Sequence, residues 1–157
     1  VYKFDELDEL TQDKVIDNYR FINVEDTFWY ECIKEDFSTL GLEIQAFDLD
    51  RGNYAKIYID NFEDTSKNII EYFGDSVLIK ETAKNYLDEF NKIQANFKED
   101  EDIERELEIL DEEYEKEYSE DILSYLRSNY EYEISDEAVI NTIEANDYDF
   151  TTEGKIY

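Results

Sequence analysis

The chain has 157 residues, 44 of them acidic and 15 basic, for a formal net charge of −29, while 41% are hydrophobic and 16% aromatic. That apolar content suffices for a core, so the charge does not signal disorder; the charge itself argues against direct binding to nucleic acid or an anionic membrane, both of which repel it. Histidine is absent and Cys32 is the one cysteine, which removes the commonest general base and metal ligand and any disulfide within the chain.

Tyr2-Lys3-Phe4 reads as a short strand or lead-in. Thr11 fits the N-cap of a helix to about Arg20, with Leu10, Val15, Ile16 and Tyr19 at helical spacing. Asp26 or Thr27 fits the cap of the next, which carries Phe28, Trp29, Ile33, Phe37 and Leu40 and stops at Gly41. Leu42 to Leu49 and Tyr54 to Ile59 are rich in β-branched and aromatic residues and flank the turn Asp50-Arg51-Gly52-Asn53, which predicts a hairpin. Tyr54, Lys56 and Tyr58 alternate with Ala55, Ile57 and Ile59, as on a half-buried strand.

Beyond residue 60 the spacing turns helical. Asp64 to Phe73 is expected as one helix, stopped by Gly74, and Ser76 to about Phe97 as a second. A third runs from about Glu99 to Tyr130, with a stripe of Ile103, Leu107, Leu110, Tyr114, Tyr118, Ile122, Tyr125 or Leu126, and Tyr130 in steps of three and four. Ser135 opens a fourth, carrying Ala138, Val139, Ile140 and Ile143, and Glu153-Gly154-Lys155 marks a terminal turn. With no proline and four glycines, long loops and flexible linkers are not expected.

The elements add up to an α+β protein, with a small antiparallel sheet packed by helices, then a helical region with one long acidic helix. Residues 1–157 read as a single domain. It comprises an α/β portion to residue 60 with its hairpin at 42–59, a helical portion over 61–147, and a terminal hairpin or strand over 148–157 expected to join the sheet. A lone cysteine fits a reducing compartment. No apolar run approaches the ~20 residues of a membrane span, and the opening residues lack signal-peptide character, so a cytoplasmic protein is expected.

Most of the functional information lies in how the charge is distributed. Residues 1–98 hold 22 acids and 11 bases, and residues 99–157 hold 22 acids and 4 bases. Glu99 to Asp121 holds 14 acids against Arg105 and Lys116, a net of −12 over 23 residues. On a helix rising ~1.5 Å per residue that is about one net charge per ~2.8 Å, close to the ~3.4 Å spacing of charges along one DNA strand. Like-charged pairs one helical turn apart destabilise a helix by roughly 0.2–0.5 kcal/mol each, and few bases here offset them. A solvated outer face, or adaptation to high salt, is the plain explanation for such a run. A surface built to bind a basic partner is the functional one, and its candidate residues are Glu101, Glu104, Glu108, Asp111, Glu112 and Glu115.

The sequence offers no specific catalytic pattern. Cys32 has no histidine to activate it and reads as a small core or interface residue. There is no glycine-rich phosphate loop. Carboxylate pairs are so common among 44 acids that they specify nothing. Asp48-Leu49-Asp50-Arg51-Gly52-Asn53 has glycine one position too early for a calcium loop and no glutamate at the twelfth position. Neither a cofactor nor a specific metal is expected.

Two segments carry a resemblance. Tyr2-Lys3-Phe4-Asp5-Glu6-Leu7 with Tyr19-Arg20, Phe28-Trp29-Tyr30 and the hairpin Phe47 to Tyr54, and the ending Ser135-Asp136-Glu137-Ala138, Ile143 to Asn146 and Phe150 to Lys155, resemble a group of small acidic phage and prophage proteins, some labelled antitoxin-like. The resemblance covers both ends and not the acidic middle, and it brings no catalytic motif. It implies a mobile-element protein at work in a host cell. There, the charge suggests an inhibitor that imitates DNA to occupy the basic nucleic-acid-binding surface of a host defence enzyme, of the anti-CRISPR or anti-restriction kind. The alternative is an antitoxin-like neutraliser of a basic toxin, without DNA imitation. A carboxylate-dependent hydrolase is the least supported class. The oligomeric state is left open, a homodimer included.

Overall fold

In the computed structural model, which describes residues 1–157, Asp8 rather than Thr11 caps the first helix. Its carboxylate accepts from the Thr11 amide at 2.7 Å, and α1 runs Glu9–Asn18. The helix therefore starts three residues earlier than the sequence suggests, because Asp8 and Thr11 are a cap and its N3 donor. The later elements are α2 (Phe28–Leu40), β1 (Leu42–Asp48), β2 (Tyr54–Ile59), α3 (Phe62–Tyr72), α4 (Leu78–Asn96), α5 (Asp100–Glu133) and α6 (Asp136–Ala145). The protein is α+β, with one two-stranded antiparallel sheet and a long α5. No helix is long and apolar enough to cross a membrane.

Two compact units make up the chain. One combines Val1–Glu31 with Ser128–Tyr157, and the other is Cys32–Arg127; the divisions fall within α2 and α5.

The first unit is built from both ends of the chain. Val15 and Ile16 of α1 and Val139 and Ile143 of α6 close on Phe4, Leu7 and Phe150. Leu10, expected on the apolar face of α1, is 83% exposed. Phe4–Glu6 forms a 3-10 turn, so of the expected opening strand only Tyr2 pairs, exchanging two backbone hydrogen bonds with Phe150. Phe150 also bridges Ile156 across the terminal turn. The terminal segment thus turns back on itself as expected, but it pairs with Tyr2 and does not extend the sheet, which has two strands. Gly154 (φ +84°) lets that turn pass close to α1, where a Cβ would come within 2.9 Å of Val15. Arg20 donates to Asp17 (2.7 Å), Asp136 (2.5 Å) and the Ile134 carbonyl (3.1 Å), tying the end of α1 to the start of α6.

The second unit holds the hairpin and most of the aromatic core. Leu42, Ile44, Ile57 and Ile59 are buried on one face of the sheet, and Tyr54 and Tyr58 are about half exposed on the other. A bulge between Ile44 and Ala46 leaves Gln45 and Ala46 both outward. Gly41 stops α2 in a left-handed conformation (φ +103°) directly against Thr65, whose hydroxyl donates to the Gly41 carbonyl. Asn61 caps α3 through the Asp64 amide, so α3 begins two residues before Asp64. Phe37 and Phe73 stack at 5.4 Å and both meet the ring of Tyr125 on α5.

Candidate partner-binding face

Helix α5 spans 34 residues, roughly 50 Å of axis, with no glycine or proline to interrupt it. Glutamate and leucine propensity and the acids of the first turn favour the helix locally, while the like charges of its first part oppose it. Tertiary packing holds it, through Leu110, Tyr114, Tyr118, Ile122 and Leu126, all buried. Tyr86 of α4 meets Tyr114 edge-to-face at 5.3 Å, and Tyr118 shares a 2.5 Å hydrogen bond with the buried Ser66 of α3. Ile103 and Leu107, expected in the same core stripe, are only half buried.

With that stripe inward, the acids sort by position. Glu101, Glu104, Glu108, Glu112 and Glu115 are exposed, and their spacing puts them within about a quarter of the helix circumference. Within the 99–121 run the ion pair is Arg105 with Asp102 at 2.7 Å. The row therefore presents largely uncompensated charge to solvent.

Asp111 departs from the expected row. It is half buried, and its carboxylate accepts from the Tyr86 hydroxyl at 2.6 Å. The reason is visible in the spacing: Leu107, Asp111, Tyr114 and Tyr118 follow a 4-3-4 rhythm, which places Asp111 on the inward ladder. Asp121, not singled out by the sequence, is deeper still at 8% exposed, and accepts from the Thr82 hydroxyl. Burial raises both carboxyls above the ordinary aspartate value, against hydrogen bonds that lower them. Burial also pushes the Tyr86, Tyr114 and Tyr118 phenols well above the ordinary tyrosine value, with neighbouring carboxylates adding to the shift, so they stay protonated.

A pH dependence follows. Below the ordinary aspartate value both carboxyls are protonated in native and unfolded chains alike. Above it, up to their raised native values, the native state binds more protons, so stability falls as pH rises through that window. Lowering pH from neutral towards the ordinary aspartate value should therefore raise the Tm, helped by relief of general repulsion. Asp121→Asn keeps an acceptor for Thr82 without the buried charge. Relative to the native chain its gain should be largest above the raised native value of Asp121 and should shrink as pH falls towards the ordinary aspartate value. Parallel melts check this, and an advantage independent of pH would mean that Asp121 does not titrate differently on folding.

Five of the six candidate acids converge on one open cleft of about 420 Å³. Phe62 and Leu107 give it apolar surface, and Glu104, Glu108, Asp111, Glu112 and Glu115 line the rest. Glu101 lies outside it. Phe62 is backed by Tyr86 and Tyr118, with ring centroids at 5.8 and 6.3 Å. A second open cleft, of about 610 Å³, lies between the hairpin and α5, bounded by Tyr54 and Ala55 on one side and Glu112, Glu115 and Leu123 on the other. Arg127 fixes that geometry by donating to the Leu49 carbonyl (3.2 Å) and the Asn53 side chain. Glu112 and Glu115 thus stand between two troughs, each with an aromatic ring. Sequence reasoning found the acids and the outward position of Tyr54, but it had no signal to bring Phe62 beside Leu107.

Elsewhere chemistry is sparse. Cys32 is exposed on α2, so it is not the core residue that one of the two expectations made it. Asp48 accepts from the Asp50 amide at 2.8 Å within the hairpin turn, and Asn53 takes a left-handed φ of +49°. No group of three or more acidic or cysteine side chains is placed to hold a metal ion.

No family model, curated protein or solved structure matches this chain. The physics of the α5 face is therefore what bears on function.

Proposed function

We propose that the protein is a phage-borne inhibitor that binds the basic nucleic-acid-binding surface of a host defence enzyme, imitating DNA with the exposed carboxylates of α5. One observation carries the reading: Glu101, Glu104, Glu108, Glu112 and Glu115 form an exposed row on a helix anchored from behind by a buried aromatic core. On a fixed helix only the side-chain rotamers of the row, and not its backbone, remain to be ordered on binding. A groove lined with lysine and arginine for a phosphate backbone meets comparable charge at comparable spacing.

Competition tests it. A basic partner recovered from host lysate should lose this protein when a DNA or RNA ligand of that partner is added. The affinity should also fall at least tenfold between 50 and 300 mM salt, because exposed charges are screened over roughly 8 Å at physiological ionic strength. A partner that binds this protein and its nucleic acid together would instead support toxin neutralisation without mimicry. An affinity insensitive to salt would remove the electrostatic account altogether.

A further inference from the structure

Of the two clefts that the acidic row borders, the one at Phe62 sets its ring beside a carboxylate that is already held in place. Phe62 is packed from behind by Tyr86 and Tyr118 and is half exposed on the cleft side. Asp111 lines the same cleft with one oxygen already fixed by the Tyr86 hydroxyl, and Glu108 stands three residues earlier, about one turn away on the same helix. A DNA-like row needs charge alone. A ring next to a held carboxylate asks for a cation with a flat face.

We propose that this cleft is an arginine pocket, taking one arginine side chain of the basic partner with its guanidinium against Phe62 and paired to Asp111 and Glu108. Charge complementarity sets the sign of the occupant, and the ring selects arginine over lysine. A guanidinium is planar, more weakly hydrated than an ammonium, stacks on aromatic faces and pairs with carboxylates through two N–H donors, whereas an ammonium acts as a hydrated point charge. Leu107 gives the aliphatic stem an apolar contact. Burial already disfavours a bare charge on Asp111, so a paired cation relieves it. The pocket rests on the reading of α5 as the partner-binding face and adds the chemistry that anchors the partner there.

Acetylated octa-arginine and octa-lysine peptides are probes of equal charge, and titration calorimetry at 150 mM salt compares them. The native protein should bind octa-arginine at least fivefold more tightly. Phe62→Leu, which keeps apolar volume without the ring, should bring the ratio to within twofold of one while leaving octa-lysine binding within twofold of native. Should that variant melt early, Asp111→Asn keeps an acceptor for Tyr86 and should lower octa-arginine affinity at least threefold, more than it lowers octa-lysine affinity. Equal binding of the two peptides by the native protein, or a preference retained in both variants, would overturn the pocket. The reading of the face itself fails separately: Glu104→Gln, Glu112→Gln and Glu115→Gln combined should weaken octa-lysine as well, and no change there would mean that α5 is not where cations bind.

Discussion

Reversal of Glu104, Glu108 and Glu115 to lysine together should weaken binding of octa-lysine, and of the basic partner once recovered, by on the order of 100-fold near physiological salt, mostly through a slower association rate. All three are exposed on the packed helix, so the fold should survive, and relief of repulsion along α5 should keep the Tm equal or higher. Equal net charge makes the control decisive. Asp13, Glu144 and Glu153 are exposed acids of the other unit, and their reversal shifts the total charge identically. It should cost less than about tenfold, since none of the three belongs to the α5 row. Stopped-flow association and calorimetry on both triple variants measure the difference. Equal losses would mean that diffuse charge, not a defined face, attracts the partner.

The largest effect on stability is expected at Tyr118. It is fully buried, its hydroxyl is bonded to Ser66, and Phe62 packs on its ring. Tyr118→Ala should cost about 3–5 kcal/mol by opening a cavity beneath the face. Tyr118→Phe keeps the ring but strips a partner from the buried Ser66 hydroxyl, and should cost about 1 kcal/mol. Urea unfolding separates the two. A loss below 1 kcal/mol for the alanine variant would show that α5 is not held at Tyr118, and that the row lacks the rigid backing argued for it.

The elements legible in the sequence were those with both a period and a stop. The hairpin followed from alternation around Asp50-Arg51-Gly52-Asn53, the end of α2 from Gly41, the start of α6 from Ser135, and α5 from its long 3-4 stripe, all matched within three residues. Caps misled where two candidates stood three apart: Thr11 looks like a cap but is the residue whose amide Asp8 receives. Tyr2 and Phe150 lie 148 positions apart in the sequence and pair as isolated bridges, and no local pattern announces such a pairing. The acidic row was readable because exposure on a helix is periodic. Asp111 was misplaced because its charge was weighed and its place on the 107-111-114-118 ladder was not. Phe62 was invisible as a neighbour because its position depends on how α3 packs.

The discontinuous unit has a consequence for the order of events on the ribosome. Its α1 precedes the whole Cys32–Arg127 segment in the chain, and Val139, Ile143 and Phe150, which cover Val15 and Ile16, follow it. The intervening Cys32–Arg127 unit emerges whole in the meantime. At roughly 5–20 residues per second its 96 residues take about 5–20 s to synthesise. For that interval the apolar side of α1 has only Phe4 and Leu7 of its native partners in the cluster. Residues 1–31 hold nine acids and three bases, and a segment with that excess of like charge repels its own kind on neighbouring nascent chains. That repulsion opposes self-association of residues 1–31 for as long as Val139, Ile143 and Phe150 are not yet in place.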